Sequence, residues 1–302
     1  MEFLAQNLLN GVSIGSFYAL VALGYTMVYG VLRLINFAHG DLFMWGAFLG
    51  YTALTAISAA GLSPGPWVFV PVLPGVMIVL ALAGVLLERT AYRPLRSAGR
   101  LPPLISALGA AFILQALARN LYGASYKTYP SSVSLPGGVR ILGDVTMGTT
   151  QIVAVLAALL LMSALHVFVH RTRVGTAMRA VSLDHDTARL MGIPVDRVIA
   201  GVFLIGPALG GAAGMLVALR YGSFDFTLGW TFGLKAFIAA IVGGIGNIPG
   251  AMLGGLILGV VESLGAGYIS PQWKDLIAYV LLALILIARP GGLLGERCAE
   301  RV

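Results

Sequence analysis

Charge and cysteine are both scarce in this chain. Lys, Arg, Asp and Glu make up 10% of the 302 residues, and the single cysteine, Cys298, stands in the polar tail. One cysteine excludes an internal disulfide and any cysteine-based metal site. No Lys or Arg precedes Arg33, so the basic n-region of a cleaved signal peptide is missing and the first hydrophobic run is expected to stay in the mature protein. A G-x-x-x-x-G-K-[ST] phosphate loop is also lacking, as is any Ser/His/Asp set at an informative spacing. No ATPase or hydrolase machinery is visible in this chain, and no catalytic residue is assigned. Metal ligands are not assigned either: His166 and His170, four apart, are read as interfacial snorkelling rather than a metal pair.

What is abundant is apolar. A hydrophobic share of 58% and 40 glycines, with a mean hydropathy of +0.91, indicate an all-α polytopic membrane bundle forming one integral domain over residues 1–302. The net charge of +7 is clustered between apolar runs, so it reports topology rather than nucleic-acid binding. A crossing helix needs roughly 17–25 mostly apolar residues. Segments of that kind fall at about 8–30, 40–60, 67–88, 104–121, 150–169, 198–219, 228–246, 249–267 and 273–288. They make nine crossings, or eight if one Gly-rich piece near residue 246 is re-entrant. With Arg171–Arg197 in the cytoplasm, 13 of the 19 Lys and Arg residues lie on that side, the N-terminus is outside and the C-terminus is cytoplasmic. Arg89, Arg93, Arg96 and Arg100 are ascribed to anionic lipid. The external segment 122–149, with "YPSSVSLPGG", is read as a loop with local structure, a lid or docking surface being its functional alternative.

The one long polar stretch is Arg171–Arg197, 27 residues with five arginines, three aspartates and a histidine. Within it "SLDHDTARLMGIP" predicts one short helix from about Asp184 to Met191, stopped by Gly192 in a left-handed position and by Pro194. Two turns are marginal in water, so this helix needs a surface to dock on. Leu183, Thr187, Leu190 and Met191 recur at i, i+4, i+7 and i+8 as the docking stripe, with Asp184, His185, Asp186 and Arg189 on the remainder.

Inside the apolar segments, Gly11, Gly15, Tyr18, Ala22, Tyr25 and Tyr29 share one face of the first span. Three hydroxyls on one stripe need partners, so this face meets protein, as a packed seam or as a substrate path. Gly206, Gly210 and Gly214, and Gly250, Gly254, Gly255 and Gly259, form small-residue ladders suited to close helix packing or to sliding. "INFAHGD" sets Asn36, His39 and Asp41 around a tight turn at Gly40, read as a structural turn at the inner end of the first hairpin rather than a proton relay. Lys235 and Glu262 either meet each other or lie at the outer interface.

Several long blocks in one order resemble the permease family of branched-chain amino-acid ABC importers, of the LivH type. They are "NGVSIGSFYALVALGYTMVYG" with "INFAHGD", "ERTAYRPLR", "TRVGTAMRAVSLDHDTARLMGIPVDRVIA", "GLKAFIAAIVGGIGNIPGAMLGGLILGVVE" and "RPGGLLG". The resemblance implies a non-enzymatic permease in a bacterial inner membrane. It implies as partners a second homologous permease, two cytoplasmic ATPase subunits carrying ATP and Mg, a periplasmic binding protein and membrane lipid. No cofactor would sit on this chain. The short helix would then be the coupling helix, with Asp186, Thr187, Ala188 and Gly192 at the spacing of a degenerate E-A-A-x-x-x-G loop. Thr176 departs from the basic residue common there, and Asp41 stands where Glu is frequent. Tyr18, Tyr25, Tyr29 and Gly254 are the candidates for bordering the path. Other cargoes such as urea, short amides or aromatic acids stay open. So does an ion-coupled secondary transporter, for which only Glu262 and Asp225 offer carboxylates.

Overall fold

The computed structural model describes residues 1–62, 65–96, 98–99 and 101–295; Cys298, Arg100, Arg297 and Arg301 lie outside them. In chain order its helices are α1 (Glu2–Leu32), α2 (Ala38–Ala59), α3 (Phe69–Leu87), α4 (Leu101–Tyr122), α5 (Thr149–Arg171), α6 (Arg173–Leu183), α7 (His185–Leu190), α8 (Val195–Tyr221), α9 (Leu228–Gly243), α10 (Ile248–Tyr268) and α11 (Lys274–Ala288). Among the described residues, eight stretches are long and apolar enough to cross a membrane: α1, α2, α4, α5, α8, α10, and the longer segments Pro66–Leu95 and Pro271–Ala288 that contain α3 and α11. Helix α9 has 16 residues, a rise of about 24 Å against a hydrocarbon core of about 30 Å. The polytopic helical bundle expected from hydropathy is therefore present.

Helices α1 and α8 form the centre, with α2, α9 and α10 packed around them, while α3, α4, α5 and α11 keep large apolar faces outward. Lipid offers no hydrophobic drive for helix association, so close backbone approach supplies the contact. Gly11 and Gly15 of α1 meet Gly259 and Gly255 of α10, and Gly30 meets Gly246, which sets the two helices antiparallel. Gly206 of α8 faces Gly24, Gly214 faces the Phe43 carbonyl, and Gly254 of α10 faces Ala239 and Gly243 of α9.

Segment 122–149 carries local structure. Strand β1 (Lys127–Thr128) pairs antiparallel with β4 (Ser223–Phe224), and β2 (Gly138–Leu142) forms a hairpin with β3 (Val145–Gly148). The hairpin is fastened to the first turns of α1, where the Gln6 side chain donates to the Thr146 carbonyl and accepts from the Thr146 amide, both at 3.0 Å.

Three sequence expectations need correction. The island Arg171–Arg197 holds two helices rather than one. Thr172 is extended and its hydroxyl accepts from the Gly175 amide at 3.1 Å, starting α6 at once after α5, and Gly175, Met178 and Val181 bury one face of it. The arginines after α3 are not all lipid ligands: Arg96 pairs with buried Glu88 and, at 3.0 Å, with Asp196, which Arg93 also approaches at 3.6 Å. A π-helical turn, Glu88–Tyr92, rotates both of its end residues inward.

The third concerns "INFAHGD", which is not a turn at the bundle's end. Arg33 adopts φ 55, the one non-glycine positive φ among the described residues, and the chain then folds back along α1. His39 packs on Gly24 and its Nε2 lies 3.2 Å from the Val21 carbonyl, roughly 12–16 Å up α1 from Leu32. Gly40 is helical, in the first turn of α2, and is needed for approach: a Cβ there would lie 2.5 Å from the Gly229 carbonyl oxygen.

Candidate functional site

Two regions carry the residues singled out by sequence. The first is the corner made by α6 and α7. Asp184 is extended (φ −156, ψ 121) and caps α7: Oδ1 accepts from the Asp186 amide at 2.9 Å and Oδ2 from the Thr187 hydroxyl at 2.7 Å. The Thr187 hydroxyl and then the Asp186 and Thr187 amides hold the Asp184 carboxyl below the usual carboxylate range. The helix ends in a Schellman motif, with Gly192 at φ 80, its amide on the Arg189 carbonyl at 2.9 Å and the Ile193 amide on the Ala188 carbonyl at 3.0 Å. Arg189 and Asp186 form an exposed ion pair at 3.4 Å, of little energetic weight.

The stripe is rearranged relative to expectation. Leu183 belongs to α6, and the break at Asp184 takes it out of helical register with α7. Leu183, Leu190 and Met191 are nonetheless strongly exposed, Leu190 at 88%. Ala188 is buried against the chain itself, so it is not a residue of the outward face. His185 also turns inward, its Nε2 donating to the Val31 carbonyl at 2.6 Å, while Arg33 reaches the Ser182 carbonyl at 3.4 Å. The corner is thereby tied to the last turn of α1.

The second region is the bundle interior. The Tyr18 hydroxyl donates to Glu262 at 2.9 Å, and Lys235 pairs with Glu262 at 2.6 Å and Asp275 at 2.9 Å, linking α1, α9, α10 and α11. Asp225, the other carboxylate weighed for ion coupling, accepts from the Thr227 amide and hydroxyl. The Tyr92 hydroxyl donates to Asn36 Oδ1 at 2.8 Å, holding the connection between α1 and α2 against the π-helical turn that follows α3. Tyr25 stacks edge-on to His39, with ring centroids 4.8 Å apart.

Between α1, α2, α4 and α9 lies a cleft walled by Phe37, Trp230 and Phe237, with Tyr25, Asp41 and Gln115 as its polar members. Of the four path candidates, Tyr25 lines this cleft. Tyr18 is spent on Glu262 and Gly254 lies in the α9–α10 seam, while Tyr29 is half-buried one turn beyond Tyr25. Sequence reading missed Gln115. Its signal was available, as a lone amide between "FIL" and "AL" in an apolar helix.

Comparison with known proteins adds the family. The model described as "Branched-chain amino acid transport system / permease component" matches residues 7–286. The chain is 42% identical over 301 residues to the high-affinity branched-chain amino acid transport system permease protein BraD of Pseudomonas aeruginosa, covering 98% of this chain and 97% of that protein. It is 40% identical to LivH of Escherichia coli over 306 residues, 99% and 98% of the two chains. It is 30% identical to a probable LivH of Methanocaldococcus jannaschii over 291 residues, 91% and 88%. No solved structure matches the chain. A multi-pass helical bundle matched end to end by these permeases belongs to the permease component family of branched-chain amino acid transport systems.

Proposed function

We propose that this chain is the translocation subunit of an ATP-driven importer whose cargo is branched-chain amino acids. The cargo reading is supported by the names of the BraD and LivH relatives, similar over nearly their whole length. In this reading the chain pairs with a second homologous permease and receives cargo from a periplasmic binding protein. Two cytoplasmic ATPase subunits bind ATP and Mg, and this chain performs no hydrolysis. The N-terminus is external and the C-terminus cytoplasmic, in keeping with the basic residues gathered on the side of the α6–α7 corner.

The observation that carries the reading is the exposure of Leu190 and Met191 at the end of a six-residue helix capped at both ends. So short a helix has no independent stability, yet it is built to present two large apolar side chains outward. Closure of the ATPase pair on ATP would move this helix. Its bonds to Val31 and from Arg33 to Ser182 give the displacement a direct route into α1, biasing the bundle between outward-open and inward-open arrangements.

Burying a Leu or Met side chain is worth about 1.5–3 kcal/mol. Leu190→Asp or Met191→Asp is therefore expected to weaken ATPase association by about tenfold or more and to abolish coupled uptake, with membrane insertion unchanged. Co-purification and uptake in proteoliposomes measure both, and normal uptake by these variants would count against the docking role.

A further inference from the structure

Asp41 is a residue of the cleft whose chemistry the fold leaves unfinished. Its side chain is 6% exposed, and its Oδ1 is sealed from solvent with no hydrogen-bond partner among the described residues. It sits against Gly229, where a Cβ would come within 2.8 Å of Oδ1. No cation pairs with it among the described residues, and the nearest lysine in sequence along α9, Lys235, is committed to Glu262 and Asp275. Leaving a carboxylate in apolar surroundings without a partner costs several kcal/mol. Its place in the first turn of α2 favours the negative form only in part.

A ligand that brings a positive charge on a small apolar body would complete the site. The walls are aromatic, from Phe37, Phe112, Trp230 and Phe237, and offer both apolar contact and π faces to an ammonium. Gln115, Tyr25 and Trp230 add donors at the same cleft, suited to the carboxylate of a zwitterion. We propose that this cleft is a transit site for the cargo and that Asp41 binds its ammonium group. The inference rests on the amino-acid reading of the cargo given above, and it takes Asp41 out of the purely structural role its motif suggested.

The test uses the complete transporter with its binding protein in proteoliposomes. Asp41→Asn is expected to lower leucine uptake about ten- to hundredfold, the loss of a charge-assisted hydrogen bond, while binding-protein-stimulated ATP hydrolysis and assembly persist. Asp41→Glu is expected to retain a substantial part of uptake. A second arm needs no variant. In the wild-type complex without binding protein, leucine and 3-methylbutylamine should raise the thermal unfolding midpoint, and 3-methylbutanoate should not. Equal protection by the amine and the acid, protection by neither, or full uptake by Asp41→Asn overturns the proposal. Failure of the wild-type transporter to take up leucine would instead overturn the cargo reading.

Discussion

At the scale of single residues, the bundle depends on places where nothing larger than hydrogen fits. Gly255 faces the backbone of Ala19, with the Ala19 amide nitrogen and Cα both inside the volume a Cβ would fill. Backbone cannot rotate away as a side chain tip can, so Gly255→Leu must part α1 from α10. Overpacking of this kind costs about 1–3 kcal/mol or more. Gly109, in α4, has nothing within 4 Å of its Cβ position, and Gly109→Ala should be neutral or stabilise by about 0.5–1 kcal/mol. Thermal unfolding of the two purified variants checks the contrast; similar midpoints would mean the α1–α10 seam is not tightly packed. The glycine ladders were legible as packing faces because small residues at every fourth position have few other uses in an apolar helix. Their partners were not legible, since Ala19 and Gly255 are far apart in the chain.

At the scale of elements, helix α7 was legible because its stops are local. Asp184 caps the start through its side chain and Gly192 closes the end through its left-handed backbone. Helix α6 was not, because "RVGTAMRAVSL" carries Gly and Thr within a charged stretch and reads as loop until Thr172 and the burial of Met178 and Val181 are known. "INFAHGD" misled for a related reason: Asn, Gly and Asp matched a surface turn, whereas Gly40 is required by the distant Gly229 and Gly233. The Asp184 cap also gives α7 a pH dependence. Its carboxyl is depressed in the folded chain, so the unfolded chain takes up a proton at higher pH. The cap therefore supports α7 fully above the ordinary carboxylate value and fades as pH falls through the depressed one. Amide protection across Asp186–Leu190 should be lower in Asp184→Ala than in wild type at neutral pH, and the two should converge in acid. A difference that survives full protonation would mean the carboxylate is not what holds the helix.

At the scale of the molecule, the placement of the apolar helices was legible from run length, whereas the count stayed between eight and nine because α9 is so short, and the family blocks span almost the whole chain. The ionic ties were not. Glu88, Arg96 and Asp196 meet between the end of α3 and the start of α8, and Tyr18, Glu262, Lys235 and Asp275 meet across four helices. Only the pair Lys235–Glu262 was suggested beforehand, because two opposite charges in apolar helices must find company. Breaking that pair from one side leaves Glu262, 3% exposed, without its cation. Lys235→Met should thus cost about 3–5 kcal/mol, whereas Lys235→Met with Glu262→Leu should recover much of that loss. Denaturation of the three proteins in one detergent measures it, and a double variant no more stable than the single would show the pair has another task.

Helix α1 is gripped at both ends. Its first turns hold the β2–β3 hairpin through Gln6 and Thr146, and its last turn holds the α6–α7 corner through Val31 and His185. A continuous helix of 31 residues is roughly 46 Å long and, with no proline within it, does not shorten under load. In the importer proposed above it would work as a pushrod, carrying a shove on the corner at one face to the hairpin at the other, so that the two faces of the bundle would not be reset independently.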